Sequence, residues 1–196
     1  SDCLEVLNSI KDSSIDCVFA DPPFNLGKNY KNGFQDNLSN KEYYSWCFNW
    51  LSECVRILKP GGALFVYATP AIAINFGAFL NDIMTFRHWI ALSMKSTYSR
   101  GAKLYPAHYA LLYYSKGNPK TFNRLRIPIP TCRHCGKDIK DYGGHRDKLN
   151  PAGLNLTDFW DDTPPNRHKK YKVRPGVNEL KVMIPERAIL ISTKED

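Results

Sequence analysis

Residues 15–24 read Ile-Asp-Cys-Val-Phe-Ala-Asp-Pro-Pro-Phe. The first six are mostly apolar and β-branched or aromatic, which predicts a strand buried on both faces of an α/β sheet. The strand ends at Asp21, because two prolines cannot donate to a sheet and fix φ in the turn that follows. In open α/β sheets, ligands bind beside the carboxyl ends of the strands. The stretch therefore predicts either a rigid turn that presents Asp21, Pro22, Pro23 and Phe24 to a ligand, or a plain strand-ending turn.

Helix and strand patterns alternate along the rest of the 196-residue chain, which indicates a medium-sized α/β unit. The proline and glycines of residues 59–62 are expected to end a long amphipathic helix. The predicted elements are a short helix in 1–10, a helix over 40–58 with Tyr44, Cys47, Phe48, Leu51, Val55 and Leu58 on one face, a strand over 63–68, a helix over 72–83, strands over 86–94 and 109–114, and a helix over 177–191 that Pro185 kinks or interrupts.

Positive charge is concentrated in the second half of the chain. Residues 1–94 carry 7 Lys and Arg against 9 Asp and Glu, residues 95–196 carry 20 against 10, and the whole chain has a formal net charge of +8. A near-neutral α/β half joined to a basic half is typical of a catalytic core linked to a part that contacts nucleic acid. The alternative is a set of solvated basic loops.

Cysteine usage and hydropathy indicate the compartment. Four of the six cysteines lie in segments with core patterns, so we interpret all six as reduced thiols of an intracellular protein. No apolar run of 18 residues and no charged-then-apolar leader occurs, so neither a membrane span nor a signal peptide is indicated. These features predict a cytoplasmic location and no membrane partner.

The run Asp21-Pro22-Pro23-Phe24 resembles motif IV of the amino-methyltransferases, which move a methyl group from S-adenosylmethionine to an exocyclic amino group of a DNA base. The resemblance implies that these four residues are catalytic. Asp21 and the Pro22 carbonyl would accept the two amino hydrogens of an extruded base, and Phe24 would stack on its face. Two acceptors suit this chemistry, because they favour a pyramidal nitrogen whose lone pair is less delocalised into the ring.

The resemblance extends over nearly the whole chain and implies a Rossmann-like, S-adenosylmethionine-dependent methyltransferase fold. The Asp-Cys-Leu-Glu run that begins at Asp2 resembles a stretch whose acid meets the cofactor's adenine, so Asp2, Cys3 and Asp21 are expected to bind the cofactor. Asn178 is added because the last predicted helix resembles motif X, although the commoner Lys-Pro opening is absent. In the permuted β class a glycine-rich turn follows that helix. Neither Phe-x-Gly-x-Gly nor Gly-x-Gly-x-x-Gly occurs here, so we expect a partial fold.

Three functional regions are expected from composition and from the resemblance. Residues 1–116 would form the catalytic core, residues 117–176 an inserted basic recognition region, and residues 177–196 the start of the cofactor-binding segment. The middle region is rich in proline, glycine, asparagine and basic residues. The predicted DNA contacts are Lys28, Arg100, Lys103, Arg124, Arg126, Lys169, Lys170 and Arg174.

Residues 132–135, Cys-Arg-His-Cys, have the spacing of a zinc knuckle. A structural zinc site needs four ligands, and this region holds two cysteines, so His134, His145 or His168 would have to complete it. The alternative is a turn that retains two thiols. No metal site is assigned from the sequence.

Together these features predict a β-class DNA methyltransferase that acts on adenine N6 in double-stranded DNA with S-adenosyl-L-methionine as donor. An aspartate at position 21 favours adenine, because the cytosine-N4 enzymes more often carry serine there. Cytosine N4 methylation is the alternative activity, and a non-catalytic DNA-binding module with the same fold is the alternative from another class. A homodimer and a cognate restriction endonuclease, in a bacterium or phage, are the protein partners that the resemblance implies.

Overall fold

The computed structural model describes residues 3–28, 36–94, 104, 107–132, 134–137, 148–163 and 180–194. The elements are α1 (Cys3–Ser9), β1 (Ile15–Ala20), α2 (Asn40–Ile57), β2 (Leu58–Ala68), α3 (Pro70–Asn81), β3 (Thr85–Ser93), β4 (His108–Ser115), β5 (Arg126–Ile127), β6 (Leu154–Asn155), β7 (Phe159–Trp160) and α4 (Met183–Ser192). This order confirms the α/β class. Among the described helices, none has the length and apolar character needed to cross a membrane.

Five strands form the main sheet in the order β1-β2-β4-β3-β7, and β5 pairs with β6 in a separate two-stranded sheet. β1 runs parallel to β2, and β3 runs parallel to β7, whereas β4 is antiparallel to both of its neighbours. The carboxyl ends of β1, β2 and β3 therefore meet at one edge of the sheet, together with the start of β4. This edge carries the turn that follows β1.

Helices cover both faces of the main sheet. On one face α2 and α3 bury a core that includes Trp50, Leu51 and Phe76, and α1 packs against α2. On the other face α4 packs on β1 and β2, and Trp160 of β7 lies in the same buried cluster. The sheet is thus the middle layer of three, as in other α/β domains.

Helix α2 matches its predicted span closely, but its buried face is rotated. Ser39 and Glu42 form a capping box at its start, in which each side chain bonds the other residue's backbone N–H. Cys47 and Leu51 are buried as predicted, whereas Tyr44, Phe48 and Val55 are only partly buried. The fully packed positions are Tyr43, Cys47, Trp50, Leu51, Cys54 and Ile57. Aromatic residues flank the buried face of α2 on both sides, so hydrophobic periodicity alone did not predict which face packs against the sheet.

The Lys-Pro-Gly-Gly run follows the end of α2 at Ile57, as predicted, and it lies within β2, which begins at Leu58. Ile15 pairs with Leu58 and Cys17 pairs with Ala63, so the extra residues of β2 bulge out of the ladder. The Lys116 ammonium donates to the carbonyls of Val55 and Leu58, at 2.8 Å each, and so caps the carboxyl end of α2. The helix therefore passes directly into the strand.

The prediction that β1 is buried on both faces is wrong for the described residues. Ile15 and Cys17 to Ala20 are half-buried and Asp16 is exposed. Within the described part of the chain β1 pairs only with β2 and lies at the edge of the sheet. An edge strand leaves one row of backbone groups unpaired, which explains the partial exposure.

The last helix begins later than predicted. Helix α4 starts at Met183, residues 180–182 are not helical, and residues 177–179 lie outside the described residues. Pro185 neither kinks nor breaks it, because it stands in the first turn, where backbone N–H groups have no partner within the helix. The predicted strands over 86–94 and 109–114 are confirmed as the antiparallel pair β3 and β4.

We expect Gly61→Ala to destabilise the fold more than Gly117→Ala does. Both glycines have positive φ, 78° and 75°, so each alanine costs about 1–2 kcal/mol in backbone strain. A Cβ at Gly61 would also lie 2.8 Å from Lys120 N and 2.9 Å from Asn118 O, whereas nothing lies within 4 Å of a Cβ at Gly117. Urea unfolding measures the difference, and equal losses of stability in the two variants would contradict the close packing of the bulge.

Candidate functional site

Asp21 stands at the first position after β1, where the strand delivers it to the edge of the sheet. Its carboxylate is accessible to solvent, yet the surrounding protein raises its pKa to about 6, and the nearby Lys28 ammonium opposes that shift. Desolvation is the larger effect. Near neutral pH the side chain is an ionised acceptor whose negative charge is poorly solvated.

Phe24 lies between two tyrosines at the same edge. Its ring centroid is 5.9 Å from that of Tyr67 near the end of β2 and 6.2 Å from that of Tyr109 near the start of β4. The two tyrosine rings are 4.9 Å apart. These spacings are those of favourable tilted aromatic pairs. The three rings therefore form an aromatic group, hereafter the aromatic corner, immediately beside the Asp21 turn.

The turn is fixed to helix α2 by one hydrogen bond. The Tyr43 hydroxyl donates to the Pro23 carbonyl at 2.7 Å, and Tyr43 is 2% exposed. Burial raises the pKa of Tyr43, so the hydroxyl remains a donor at any physiological pH. No described residue donates to the Pro22 carbonyl. Among the described residues, the carbonyl of the second proline therefore has a hydrogen-bond donor and the carbonyl of the first proline has none.

The loop after the turn is closed by two further clamps. The Asn25 side chain, at a residue with φ of +53°, donates to the Leu38 carbonyl and accepts from the Leu38 N–H, both at 2.8 Å. The buried Asp36 accepts from the backbone N–H groups of Leu26 and Lys28 at 3.1 and 2.8 Å. These bonds hold the segment after Phe24 against the residues that precede α2, so the reactive turn has little freedom to move.

The residues expected to bind the cofactor are only partly described. Asp21 lies at the site, whereas Asp2 and Asn178 lie outside the described residues. Cys3 is exposed at the start of α1 and stands near Cys47 and Cys54 of α2. Burial raises the pKa values of those two thiols to about 11 and about 12, and the proximity of Cys3 adds to both shifts. Of the residues expected to bind the cofactor, Asp21 is therefore the one that the described structure places at the turn after β1.

All six cysteines are free thiols, as predicted. The four cysteines expected in core elements lie in α1, β1 and α2, as predicted, but their burial differs. Cys47 and Cys54 are buried, Cys17 is half-buried beneath Ser192, and Cys3 is exposed. Helix α1 has a side that faces solvent, and Cys3 lies on it. The sequence pattern did not predict this exposure.

Three of the eight predicted DNA contacts lie in the described residues. The Lys28 ammonium lies near the Asp21 carboxylate, so Lys28 is placed at the Asp21 turn. Arg124 lines a groove of about 380 Å³ together with His88, Asp158 and Trp160, on the α4 face of the sheet and apart from the Asp21 turn. The guanidinium of Arg126 donates to the Gly153 carbonyl at 2.8 Å and so supports the β5–β6 pair. The predicted contacts that lie outside the described residues are Arg100, Lys103, Lys169, Lys170 and Arg174.

Backbone hydrogen bonds join Cys132 to the described residues 134–137 at the Cys-x-x-Cys pair. The Cys132 N–H donates to the Lys137 carbonyl at 2.6 Å, and the Gly136 N–H donates to the Cys132 carbonyl at 2.9 Å. The backbone N–H groups of Cys135 and His134, followed by the Cys135 thiol, bond the Cys132 sulfur and lower the pKa of that thiol. The two sulfurs are therefore neighbours. Among the described residues, no cluster of three or more His, Cys, Asp or Glu side chains forms a metal site.

Several residues of the site were not predicted from the sequence. Tyr67 and Tyr109 belong to strands that were predicted. Because both residues lie where these strands meet the carboxyl end of β1, the predicted strand ends could have indicated the aromatic corner. Tyr43 was assigned no role, since its contact with Pro23 links positions 20 residues apart in sequence. Asp36 is a buried acid in a loop, and no sequence pattern marks it. These contacts depend on how α2 packs against the sheet.

Comparisons with known proteins agree with this arrangement. The DNA methylase family model matches residues 15–196. The chain is 48% identical over 195 residues to the type II methyltransferase M.BamHI of Bacillus amyloliquefaciens, which covers 99% of this chain and 46% of that protein. It is 29% identical over 198 residues to the type II methyltransferase M.HpaI of Haemophilus parainfluenzae, covering 100% of this chain and 59% of that protein. The chain thus spans about half the length of these curated relatives.

Solved structures show the same fold at low sequence identity. The PvuII DNA methyltransferase, described as cytosine-N4-specific, superposes with a TM-score of 0.58 and 18% identity, covering 100% of this chain and 70% of that one. A Thermus thermophilus protein solved in complex with S-adenosyl-L-methionine superposes with a TM-score of 0.50 and 20% identity, over 84% of this chain and 68% of that one. The expected Rossmann-like methyltransferase fold is confirmed. Because the family model covers nearly the whole chain, this protein belongs to the DNA methylase family of N6 and N4 amino-methyltransferases.

Proposed function

We propose that the full-length protein containing this chain transfers a methyl group from S-adenosyl-L-methionine to adenine N6 in a specific duplex DNA sequence, after extrusion of the target base. One observation carries the proposal: Asp21 and the Pro22 carbonyl, which has no donor among the described residues, stand beside the aromatic corner at the edge of the sheet. A planar base with an exocyclic amino group needs two hydrogen-bond acceptors and an aromatic surface. The Asp21 turn offers both within four residues.

The mechanism assigns each group one task. Asp21 and the Pro22 carbonyl accept the two N–H groups of the extruded base, and Phe24 packs on its ring. Holding both hydrogens favours a pyramidal nitrogen, so the lone pair becomes available for attack. The nitrogen then forms a bond to the methyl carbon as the bond between carbon and sulfur breaks, and the nitrogen loses one proton. Asp21, with its raised pKa, is suited to receive that proton or pass it to solvent.

The described residues fit the proposed cofactor in charge. S-adenosyl-L-methionine supplies an electrophilic methyl group on a positively charged sulfur. A poorly solvated carboxylate and the faces of aromatic rings both attract such a cation. Asp21 and Cys3 are the described members of the set proposed to bind it, with Asp2 and Asn178 as the others.

The division of the chain into three regions is retained in the proposal. The core of residues 1–116 would hold the chemistry, residues 117–176 would contact DNA, and residues 177–196 would open the cofactor-binding segment. The concentration of positive charge in the second half of the chain supports the assignment of residues 117–176 to DNA contact. The described residues also show that Phe159–Trp160 pairs with β3, so part of the middle region is built onto the main sheet. Arg124 and Lys28 are the described residues with side chains best placed to meet a phosphate.

Partners and location follow from the same proposal. M.BamHI and M.HpaI are named type II methyltransferases, which supports a restriction endonuclease of the same target sequence as the functional counterpart. A cytoplasmic location in a bacterial or phage-infected cell suits an enzyme that modifies DNA there. The expected homodimer stays a prediction.

Cytosine N4 is the second candidate target, because a solved neighbour is described as cytosine-N4-specific while a relative in Escherichia coli, 28% identical over 143 residues, is named a DNA adenine methyltransferase. Both bases present an amino group that the same acceptors can hold. Digestion of methylated DNA followed by mass analysis of nucleosides decides between them. N6-methyladenine is expected, and N4-methylcytosine would contradict the choice of base while leaving the enzyme class intact. If neither product forms and the full-length protein binds DNA, it is a non-catalytic module.

We expect Asp21→Ala in the full-length protein to abolish methyl transfer while DNA binding is largely kept, because phosphate contacts supply most of the affinity. Loss of an acceptor that acts on the reacting group costs on the order of 3 kcal/mol, or more than about a hundredfold in rate. Asp16→Ala is the matched control, since Asp16 lies on the same strand but pairs with Lys59 at 2.6 Å on the exposed side. Tritiated methyl transfer measures both variants. Near-normal turnover of Asp21→Ala would refute the assigned role.

The raised pKa of Asp21 predicts a pH dependence of activity. Protonation removes the acceptor, so transfer should fall about tenfold per pH unit below about pH 6. A pH–rate profile of kcat/KM measures this limb, and an unchanged rate down to pH 5 would contradict it.

The free energy of unfolding should also depend on the ionisation of Asp21. Activity should rise with pH, whereas stability should fall. The folded state penalises the charged form, so the unfavourable contribution is absent below the ordinary pKa of 3.8, grows as pH rises from there to about 6, and is constant above that. Asp21→Asn should therefore raise the Tm at pH 8 but not at pH 3.5. Because the side chain is accessible to solvent, the gain should stay below about 3 °C. Thermal unfolding at the two pH values tests this, and a lower Tm of the variant at pH 8 would argue against desolvation.

Neutralising Lys169 and Lys170 together should weaken binding to all duplexes about equally. The slope of log affinity against log salt should flatten by roughly one to two phosphate equivalents, because lysines act as point charges. A double Lys11→Ala, Lys41→Ala variant is the control, since both of these exposed lysines lie in the near-neutral half. Fluorescence anisotropy over a range of salt concentrations measures the slopes. Equal slopes in wild type and in the Lys169 and Lys170 variant would place these lysines in solvent.

A further inference from the structure

The backbone of the Asp21 turn has one dihedral angle that its two prolines leave free. Each proline ring fixes its own φ. The ψ angles of Asp21 and Pro22 are restricted as well, because each of these residues precedes a proline. Between Asp21 and the Phe24 nitrogen, ψ of Pro23 is therefore the rotation that no proline limits. This rotation decides the direction in which Phe24 leaves the turn.

The Tyr43 hydroxyl acts on this rotation. It donates to the Pro23 carbonyl at 2.7 Å. The Pro23 carbonyl and the Phe24 N–H belong to one planar peptide group, so a bond that fixes the direction of the carbonyl also fixes the plane that leads to Phe24. A carbonyl oxygen accepts a donor within a limited range of directions. One hydrogen bond thus completes the restriction of the backbone that the two prolines begin.

Tyr43 is itself held in place, so its hydroxyl is a fixed donor. Its side chain is 2% exposed and lies in a buried cluster, with the rings of Tyr44 and Trp46 at 5.3 and 6.2 Å from its own. Its backbone N–H donates to the Ser39 carbonyl at 2.9 Å, in the turn of α2 that the capping box fixes. A phenylalanine ring would fill the same core space. The contact that requires a tyrosine here is therefore the bond to Pro23.

We propose that Tyr43 is a positioning residue for methyl transfer, because its bond to the Pro23 carbonyl sets Phe24 relative to Asp21 and the Pro22 carbonyl. This inference rests on the function proposed above. Phe24 packs against the buried clusters on both faces of the sheet, so a rotated Pro23 peptide would shift its ring within the aromatic corner. The base would then meet its two acceptors without a correctly placed stacking surface. A displacement of about 1 Å at a reacting group can cost about a hundredfold in rate.

The test compares Tyr43→Phe with Tyr114→Phe in the full-length protein. Both substitutions remove one hydroxyl from a buried tyrosine of the same cluster. The Tyr114 hydroxyl bonds the Gly77 carbonyl and the Asn81 side chain at 3.2 and 2.8 Å, near the end of β4 that lies away from the Asp21 turn. Tyr114→Phe is therefore the matched control for the loss of a buried hydrogen bond. Thermal unfolding identifies a temperature at which both variants are folded, and all rates are measured there.

Tyr43→Phe should lower kcat for methyl transfer about tenfold or more, because the acceptors and the stacking ring are no longer aligned. The KM values for DNA and for S-adenosyl-L-methionine should stay within about twofold of the wild type, since the lost alignment acts on the transition state. Tyr114→Phe should keep the wild-type kcat even where it lowers the Tm. A merely structural role of Tyr43 would lower the Tm of both variants and leave both kcat values unchanged.

A second measurement needs no activity. In the absence of DNA and S-adenosyl-L-methionine, hydrogen–deuterium exchange with mass spectrometry follows a peptide that contains residues 24–28. The backbone N–H groups of residues 26–28 bond to Asp36 and are protected in the wild type. Their exchange should be about fivefold faster in Tyr43→Phe than in Tyr114→Phe, which is the change expected for one lost hydrogen bond of typical net strength.

The outcomes separate this inference from the proposed function. A full-length wild-type protein that transfers no methyl group overturns the proposed function. Wild-type activity together with an unchanged kcat in Tyr43→Phe overturns the role of Tyr43 alone. Equal losses of kcat in Tyr43→Phe and Tyr114→Phe, or equal exchange rates of residues 26–28 in the two variants, also overturn it.

Discussion

The parallel pairing of β1 with β2 is the constraint on which the site depends. Phe19 pairs with Phe65 and Ala20 pairs with Val66, so the two strands end at the same edge of the sheet. This register sets Asp21, which follows β1, close to the end of β2. Without it the Asp21 turn and its Phe24 would not meet Tyr67, which lies more than 40 residues further along the chain. The bulge at the start of β2 absorbs the extra residues, so the register at the functional end is regular.

A second constraint is the rigidity of the turn itself. Two prolines restrict the backbone, the buried Tyr43 holds the Pro23 carbonyl, and Asn25 clamps the loop to Leu38. Such preorganisation matters for a hydrogen-bonding site, since acceptors that are already in place need no reorganisation when charge develops. The cost is a poorly solvated carboxylate at Asp21, whose pKa of about 6 marks the unfavourable burial of its charge. Function and stability therefore make opposite demands on this residue.

The chain shows two kinds of structural support. Around the sheet, helices α2, α3 and α4 bury aromatic and aliphatic side chains and fix the Asp21 turn through packing. Between β5 and β6 there is no comparable core among the described residues, and local backbone hydrogen bonds take its place. The division matches the charge distribution, in which a near-neutral packed half joins a basic half.

The sequence by itself determined the α/β class, the bounds of most helices and strands to within a few residues, and the position of the Asp21 turn. These are local properties: hydrophobic periodicity, proline, glycine, and a short motif that resembles one known family. Tertiary structure decided which face of α2 is buried, that the Lys-Pro-Gly-Gly run belongs to β2, and that Phe24 meets Tyr67 and Tyr109. It also decided that β1 lies at the edge of the described sheet and is only half-buried. Each of these depends on contacts between residues distant in sequence, whose energies come from the packing of whole elements and leave no local pattern.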